Sequence, residues 1–232
     1  MTKSVYIVAD IHGCDYKLKE LLKKISRHRE DIQDRYESAE LIFLGDYIDR
    51  GPNSKNILEI VRSLQPNHLF DDVIALMGNH EEMLLRADYH YLDKRLWIDN
   101  GGEETILSFL NKGEVAPLTI SELIGKSMMD WIKERPYFYE VGDIGISHAG
   151  IDDPTERAYN QSPDSLIWSR ELRLDPHDIY KYTVHGHTPM KTPLVDTHVA
   201  YIDTGAVFGG KLTCLFIGDV YNPVDHMEII SS

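Results

Sequence analysis

The sequence is poor in cysteine and contains no long apolar run, and each absence excludes a class of protein. Two cysteines in a chain of 232 residues cannot build a disulfide framework, which fits a reducing compartment. No stretch approaches the roughly 20 apolar residues that are needed to span a membrane. Asp10 interrupts the only apolar run near the N-terminus, so we expect no secretory signal and a cytoplasmic protein.

Positive charge is also scarce, because 24 lysines and arginines face 38 aspartates and glutamates, for a formal net charge of −14. Such a chain repels nucleic acid and anionic membranes at long range, so neither is expected as a partner. Some of the carboxylates are candidates for surrounding bound cations. The hydrophobic content of 42% is ordinary, and the length fits one large domain or two small ones. We predict a single domain over residues 1–232, because the candidate site residues described below come from both halves of the chain.

Short apolar runs alternate with helical patterns in the first third of the chain. Runs at 4–9, 41–44 and 73–77 are typical of buried strands, and amphipathic stripes lie between them. This β-α-β-α-β order predicts a largely parallel sheet covered by helices. Closely spaced short strands between 137 and 230 favour mixed or antiparallel sheet. We therefore predict an α/β fold with two mixed sheets between helices.

The middle of the chain has a different pattern. Residues 82–136 are mainly helical, and Ile124, Met128 and Trp131 share one face of a helix that must stop near Pro136. We expect this helical insert of about 82–136 to cap the functional site and to select the substrate.

Side chains of the kinds that bind metal ions occur directly after five of the predicted strands. These are Asp10 and His12, Asp46, Asn79, His148 and His187. Ligand sites in α/β sheets lie beyond the carboxyl ends of strands, so we expect these side chains to converge. Six oxygen and nitrogen groups are too many for one catalytic ion with open positions. Two ions that share a carboxylate fit better, as in known phosphoester-hydrolysing sites.

These residues belong to motifs that occur in a fixed order. The motifs are Asp10-Ile11-His12, the GDxxDRG pattern at 45–51, the GNHE pattern at 78–81, and the later His148 and His187. The set resembles the metallophosphoesterase superfamily, and more narrowly the PPP family of serine/threonine phosphatases. Trp168-Ser169-Arg170-Glu171 is similar to the small bacterial and bacteriophage-type branch. The resemblance covers residues 5 to about 210 and implies a calcineurin-like β-sandwich.

The resemblance implies a role at each matching position. Asp10, His12 and Asp46 would bind one divalent ion, and Asp46, Asn79, His148 and His187 would bind a second, with Asp46 bridging. A hydroxide that bridges the ions would attack phosphorus, His80 would protonate the leaving oxygen, and Asp49 would orient His80. Arg50, Arg170 and Asn79 would bind the phosphate. Manganese, iron and zinc suit such mixed donors, and the family's usage favours manganese.

Two substrates are compatible with these motifs. The resemblance implies a phosphoprotein phosphatase that acts on phosphoserine and phosphothreonine. A related bacterial branch hydrolyses dinucleoside polyphosphates such as diadenosine tetraphosphate, and the same core motifs serve both. A non-catalytic metal-binding module is disfavoured because His80, Asp49 and Arg50 are all present.

Four residues near the motifs receive other interpretations. His185 lies one position off the ligand pattern and is expected to pack or to support a ligand. Asp203 is expected to form a structural turn in a loop that borders the site. Cys14 fits either a small buried filler or an oxidant-sensitive thiol. Lys17 is assigned, with its neighbouring lysines, to the solvated face of the first helix.

Overall fold

The computed structural model describes residues 2–111, 113–115, 117 and 119–232, and this part of the chain forms two five-stranded sheets and eight α-helices. The strands are β1 Lys3–Val8, β2 Ser38–Phe43, β3 Asp72–Ala75, β4 Phe138–Val141, β5 Ile144–Ser147, β6 Tyr182–His185, β7 Leu194–Val195, β8 Val199–Tyr201, β9 Thr213–Ile217 and β10 Met227–Ser231. The helices are α1 Asp15–Ile32, α2 Ser54–Ser63, α3 Asn79–Ala87, α4 Tyr91–Trp97, α5 Glu103–Phe109, α6 Ile120–Ile124, α7 Lys126–Lys133 and α8 Pro163–Trp168. No helix in the described ranges is both long and apolar enough to cross a bilayer.

The first sheet has the strand order β10-β9-β1-β2-β3. Strands β1, β2 and β3 are parallel, with α1 and α2 as their connections, so the predicted β-α-β-α-β unit is confirmed. Strands β9 and β10 add to the sheet in antiparallel pairing. The carboxyl ends of the three parallel strands therefore meet at one edge of the sheet.

The second sheet has the order β4-β5-β6-β8-β7 and is mixed, as predicted. Strands β5, β6 and β8 run parallel, whereas β4 and β7 pair antiparallel with their neighbours. Strand β7 was missed because two residues carry no periodic signal.

Alternate side chains of β1 build two separate cores, because successive residues of a strand point to opposite faces. Val5 and Ile7 pack with Ile144, Ile146 and other strand residues in a layer between the two sheets. Side chains on the other face of β1 pack in a second cluster, with apolar residues of α1 and α2. Burial of each such side chain contributes about 1.5–3 kcal/mol. The two-layer packing fixes where the strand ends lie, and hence where the site forms.

The middle segment is helical, but the helix predicted through residues 124, 128 and 131 is wrong as one element. Helix α6 ends at Ile124, and α7 begins at Lys126. Gly125 separates them with φ of 89°, a backbone conformation that other residues rarely adopt. Ile124 and Met128 are still buried, because the apolar pattern continues across the break.

Candidate functional site

The residues that follow the strand ends converge into one buried cluster where the two sheets meet. The backbone N–H of His187 donates to the Asp10 carboxylate at 3.1 and 3.2 Å. Gly186 N–H donates to the His148 carbonyl at 2.7 Å, which ties the ends of β5 and β6 together. All six predicted ligand side chains lie in the cluster and are at most 7% exposed.

Three donor atoms form a tight triangle in one half of the cluster. Asn79 Oδ1, His148 Nε2 and His187 Nδ1 lie 3.0 to 3.2 Å from one another. Asp46 Oδ1 lies 3.5 Å from His148 Nε2. Ligand atoms held about 2.0–2.2 Å from one ion are separated by about 3–3.5 Å, so this spacing fits a single metal ion.

The tautomer of His148 supports the same interpretation. Its Nδ1 faces the Leu44 carbonyl at 3.1 Å, and because a carbonyl can only accept, Nδ1 must carry the proton. Burial lowers the pKa of His148, so the ring is neutral and Nε2 carries a lone pair. This lone pair faces Asn79 Oδ1, another acceptor. A cation between these atoms satisfies both.

The other half of the cluster is built on His12. Its Nδ1 lies 2.8 Å from the Ile48 carbonyl, which leaves the Nε2 lone pair directed into the site. Asp46 Oδ2 lies 3.3 Å from that Nε2, and Arg50 Nη1 donates to it at 2.9 Å. Burial first, then the carboxylates of Asp203 and Asp46, raises the pKa of Asp10 well above its usual value. Asp10 and Asp46 are therefore close enough to repel each other.

Asp46 lies between the two donor sets. Its Oδ2 faces His12 and its Oδ1 faces His148, so one carboxylate reaches both halves. Burial alone would raise the pKa of Asp46, but the charge that nearby histidines carry when protonated, His148 first, keeps this pKa below the ordinary value. Asp46 is thus an ionised carboxylate placed to bridge two cations.

The electrostatics of the cluster favour cation binding. Burial lowers the pKa of His12 and of His187 to about 3, so both rings are neutral at physiological pH, the form in which histidine can bind a metal ion. Burial also raises the pKa of Asp203 to about 6. Neutral histidines and crowded carboxylates expose many lone pairs and little compensating positive charge. The donor set fits two divalent ions that share Asp46.

His80 and Asp49 form a buried pair beside these donors. His80 Nδ1 lies 2.6 Å from Asp49 Oδ2, and its Nε2 lies 4.0 Å from Asp46 Oδ2. Trp97 Nε1 donates to both Asp49 oxygens at 2.9 and 3.0 Å, and Thr105 Oγ1 donates at 2.6 Å. Burial raises the pKa of Asp49 in spite of these donors. The predicted middle segment therefore supplies two groups that fix Asp49 against His80.

An open cleft of about 220 Å³ leads to the donor atoms. The predicted phosphate-binding residues Arg50, Arg170 and Asn79 all line it. Arg170 is exposed, whereas Arg50 is half-buried and its backbone N–H donates to the Gly101 carbonyl at 3.0 Å. Two guanidinium groups beside the metal donors make the cleft suitable for a phosphate chain.

The backbone is strained at several of the residues whose side chains form the site. In the described ranges, five residues other than glycine have positive φ, between 44° and 71°, and all five are predicted site residues: His12, Asp46, Asp49, Arg50 and His187. This left-handed conformation is unfavourable for side-chain-bearing residues and persists only where the surroundings enforce it.

Gly186 and Gly78 leave room for the carboxylates of Asp10 and Asp46. A Cβ at Gly186 would lie 2.2 Å from Asp10 Oδ1, and one at Gly78 would lie 2.2 Å from Asp46 Oδ1. Neither glycine has positive φ, so both positions need glycine for the lack of a side chain and not for the backbone conformation.

Glu81 is a supporting residue to which sequence reasoning gave no role. Its fully buried carboxylate accepts from the backbone N–H groups of Asp46 and Tyr47 at 2.8 Å and of Gly78 at 3.0 Å. Burial, followed by the charge of Asp46, raises the pKa of Glu81 to about 8. The signal in the sequence was a glutamate three residues after the N-cap of α3, the spacing of a capping box.

The four residues interpreted separately have clear positions. His185 lies outside the donor clusters, and its Nδ1 is 2.9 Å from Ser147 Oγ. Asp203 Oδ1 accepts from Gly205 N–H, as expected of a turn. Cys14 is buried, and burial raises the pKa of its thiol, which favours the filler interpretation. The prediction for Lys17 is wrong, because Lys17 is only 8% exposed and its Nζ donates to two loop carbonyls.

Comparison with known proteins agrees with this geometry. The family model of the calcineurin-like phosphoesterases matches residues 3–223, and the chain belongs to this family. A relative from Bacillus cereus (strain Q1), the asymmetrical bis(5'-nucleosyl)-tetraphosphatase PrpE, is 31% identical over 231 residues, which cover 90% of this chain and 88% of the relative. The narrower resemblance to serine/threonine protein phosphatases is not confirmed.

Two solved structures share the fold. One is described as a candidate diadenosine tetraphosphatase, with a TM-score of 0.66 and 18% identity over 100% of this chain and 95% of that one. The other is a cold-active protein-tyrosine phosphatase from a Shewanella species, with a TM-score of 0.63 and 19% identity over 99% and 81% of the two chains. At such low identity these matches support the two-sheet architecture only.

Proposed function

We propose that this protein is a metal-dependent hydrolase of bis(5'-nucleosyl) polyphosphates that cleaves its substrate asymmetrically. The observation that carries the choice of substrate is the similarity to the PrpE tetraphosphatase over nine-tenths of the chain. We therefore prefer dinucleoside polyphosphates, the alternative substrate class, over phosphoserine and phosphothreonine. A cleft with two arginines also suits a chain of phosphates.

The residues of the site would have two roles, metal binding and phosphate binding. Asp10, His12 and Asp46 would hold one divalent ion, and Asp46, Asn79, His148 and His187 a second. Ions held there, which we propose to be manganese, would activate water and neutralise phosphate charge. Arg50 and Arg170 would hold the phosphate chain across the cleft.

The proposed reaction hydrolyses one anhydride bond of the substrate. Water adds to one terminal phosphorus, the anhydride bond to the next phosphate breaks, and a nucleoside monophosphate, a nucleoside triphosphate and a proton result. His80 would deliver a proton from Nε2 to the leaving oxygen, while Asp49 accepts from its Nδ1 and holds the ring in place.

A substrate comparison tests this proposal. We expect kcat/KM for diadenosine tetraphosphate to exceed that for a phosphoserine peptide by about tenfold or more, since discrimination reflects differential transition-state binding. Chromatography should show AMP and ATP rather than two molecules of ADP. A higher kcat/KM for the phosphopeptide would overturn the proposal in favour of a protein phosphatase.

A further inference from the structure

A large aromatic side chain is exposed in the cleft beside the metal donors. Phe208 is 64% exposed and lines the same cleft as Asn79, His80 and His187. An aromatic ring held in water forfeits the free energy of its burial. The proposed hydrolysis of phosphate does not use this ring, and among the exposed large hydrophobic residues of the described ranges it is the one that lines this cleft.

The loop that carries Phe208 is built rigidly. The 3₁₀ turn Ala206–Phe208 lies between Gly205 and Gly209, which have φ of 66° and 88°. Gly210 and Phe208 both donate N–H bonds to the Gly205 carbonyl at 2.9 Å. A Cβ at Gly210 would lie 1.9 Å from the Thr204 carbonyl oxygen, so no larger residue fits there. The backbone of the loop therefore fixes the place of the ring.

A buried lysine ties this loop to the helix that follows the metal-binding residues. Lys17 Nζ, on α1, donates to the carbonyls of Ala206 at 2.6 Å and Gly210 at 2.5 Å. Burying an ammonium group is unfavourable unless it is well bonded, and here two carbonyls satisfy it. Since Lys17 follows His12 by only five residues, the ring is positioned by the same part of the chain as the metal donors.

Arg50 links the ring to the phosphate-binding part of the cleft. Its Cζ lies 5.5 Å from the centre of the Phe208 ring, in cation–π contact. Nη1 of the same guanidinium lies 2.9 Å from His12 Nε2. One side chain thus separates the ring from the metal donors. A phosphate bound by Arg50 would therefore lie near the ring, and a ligand that contacts both groups carries a planar aromatic group close to a phosphate.

We propose that Phe208 is the stacking platform for a nucleobase of the substrate and so determines specificity for nucleotides. This inference rests on the proposed function and names the group that recognises the nucleoside. Stacking on an aromatic side chain tolerates different bases, because every base has a π-face. The expected ligand class is therefore nucleoside 5'-polyphosphates in general.

The test compares substrates with and without a base. For Phe208→Ala we expect the ratio of kcat/KM for diadenosine tetraphosphate to kcat/KM for inorganic tripolyphosphate to fall by about 10- to 100-fold. Phe208→Trp should restore the ratio. Tyr221→Ala is the matched control, because Tyr221 is 53% exposed and adjoins Val220, which bonds to Lys3 at the opposite end of β1. The ratio of the two kcat/KM values in Tyr221→Ala should equal the ratio in the wild type.

Two kinetic outcomes would overturn the inference. An unchanged ratio in Phe208→Ala means that the ring does not contact the base. Equal losses on both substrates mean that the ring acts only by holding Arg50.

A binding measurement separates this inference from the proposed function. The affinities of ATP and tripolyphosphate are measured by calorimetry with manganese in the His80→Asn background, under conditions in which chromatography detects no hydrolysis of either ligand. We expect Phe208→Ala to weaken ATP about tenfold or more relative to tripolyphosphate. If the wild type prefers phosphopeptides but this shift occurs, the proposed function fails and base stacking stands. If the shift is absent, the stacking proposal is wrong whatever the substrate.

Discussion

Asp46→Asn is expected to lower kcat by about a thousandfold or more, because charge stabilisation by metal ions is worth several kcal/mol. The two oxygens of Asp46 face different donor sets, His12 on one side and His148 on the other. An amide of the same shape keeps one oxygen and loses the negative charge. We therefore expect metal binding to weaken in both halves of the site at once.

The measurement is metal content by elemental analysis together with kcat for diadenosine tetraphosphate. Asp130→Asn is the matched control, since Asp130 is an exposed residue of α7 that pairs with Lys126. It should keep the metal content and activity of the wild type. Loss of metal from only one half of the site in Asp46→Asn would contradict the bridging role.

His80→Asn is expected to lower kcat by about 10²- to 10⁴-fold on a substrate with a poor leaving group. Phosphotyrosine leaves as a phenol with a pKa of about 10, so its departure benefits from a proton. The leaving phosphate of diadenosine tetraphosphate resembles a group with a pKa of about 6 and needs the proton less. The loss on diadenosine tetraphosphate should therefore be clearly smaller.

The two substrates are compared by kcat in the variant and the wild type, with metal content measured in parallel. Trp97→Phe serves as a graded companion, because it removes one donor to Asp49 and leaves His80 in place. It should cause a smaller loss with the same preference between substrates. Loss of metal from His80→Asn would instead identify His80 as a ligand. Its Nε2 lies 4.0 Å from Asp46 Oδ2, near enough for both atoms to contact one ion. Equal losses on both substrates would argue against proton donation.

The position of the site was readable from the sequence because strand ends are local features. Asp10, Asp46 and Asn79 each follow a short apolar run, and parallel strands bring such ends together. The resemblance carried by the ordered motifs then implied donors for two ions, and this assignment stays a prediction. In the structure, Asn79 Oδ1 lies 3.0 Å from His148 Nε2, and Asp46 Oδ2 lies 3.3 Å from His12 Nε2.

The supporting contacts were not readable, since they depend on distant parts of the chain. Trp97 and Thr105 reach Asp49 from 48 and 56 residues away. The left-handed backbone at His12 and Asp46 depends on tertiary contacts. Aspartate and histidine adopt this conformation more often than most residues, but too rarely for the residue type alone to predict it.

Lys17 is a case in which the signal was present and misread. It precedes Leu21 by four residues, and side chains at that spacing share a helix face. Leu21 and Ile25 are buried on that face, so Lys17 is directed inward with them. The lysine-rich composition of the helix concealed this periodicity.

The central claim is that hydrolysis depends on two divalent ions held by the converging donors. Its most direct test is chelation of the protein, followed by manganese titration with diadenosine tetraphosphate as substrate and metal content measured at each step. We predict no hydrolysis by the chelated protein and a return of activity that is complete only at two ions per chain. Activity that survives chelation, or full activity at one ion per chain, would contradict the account.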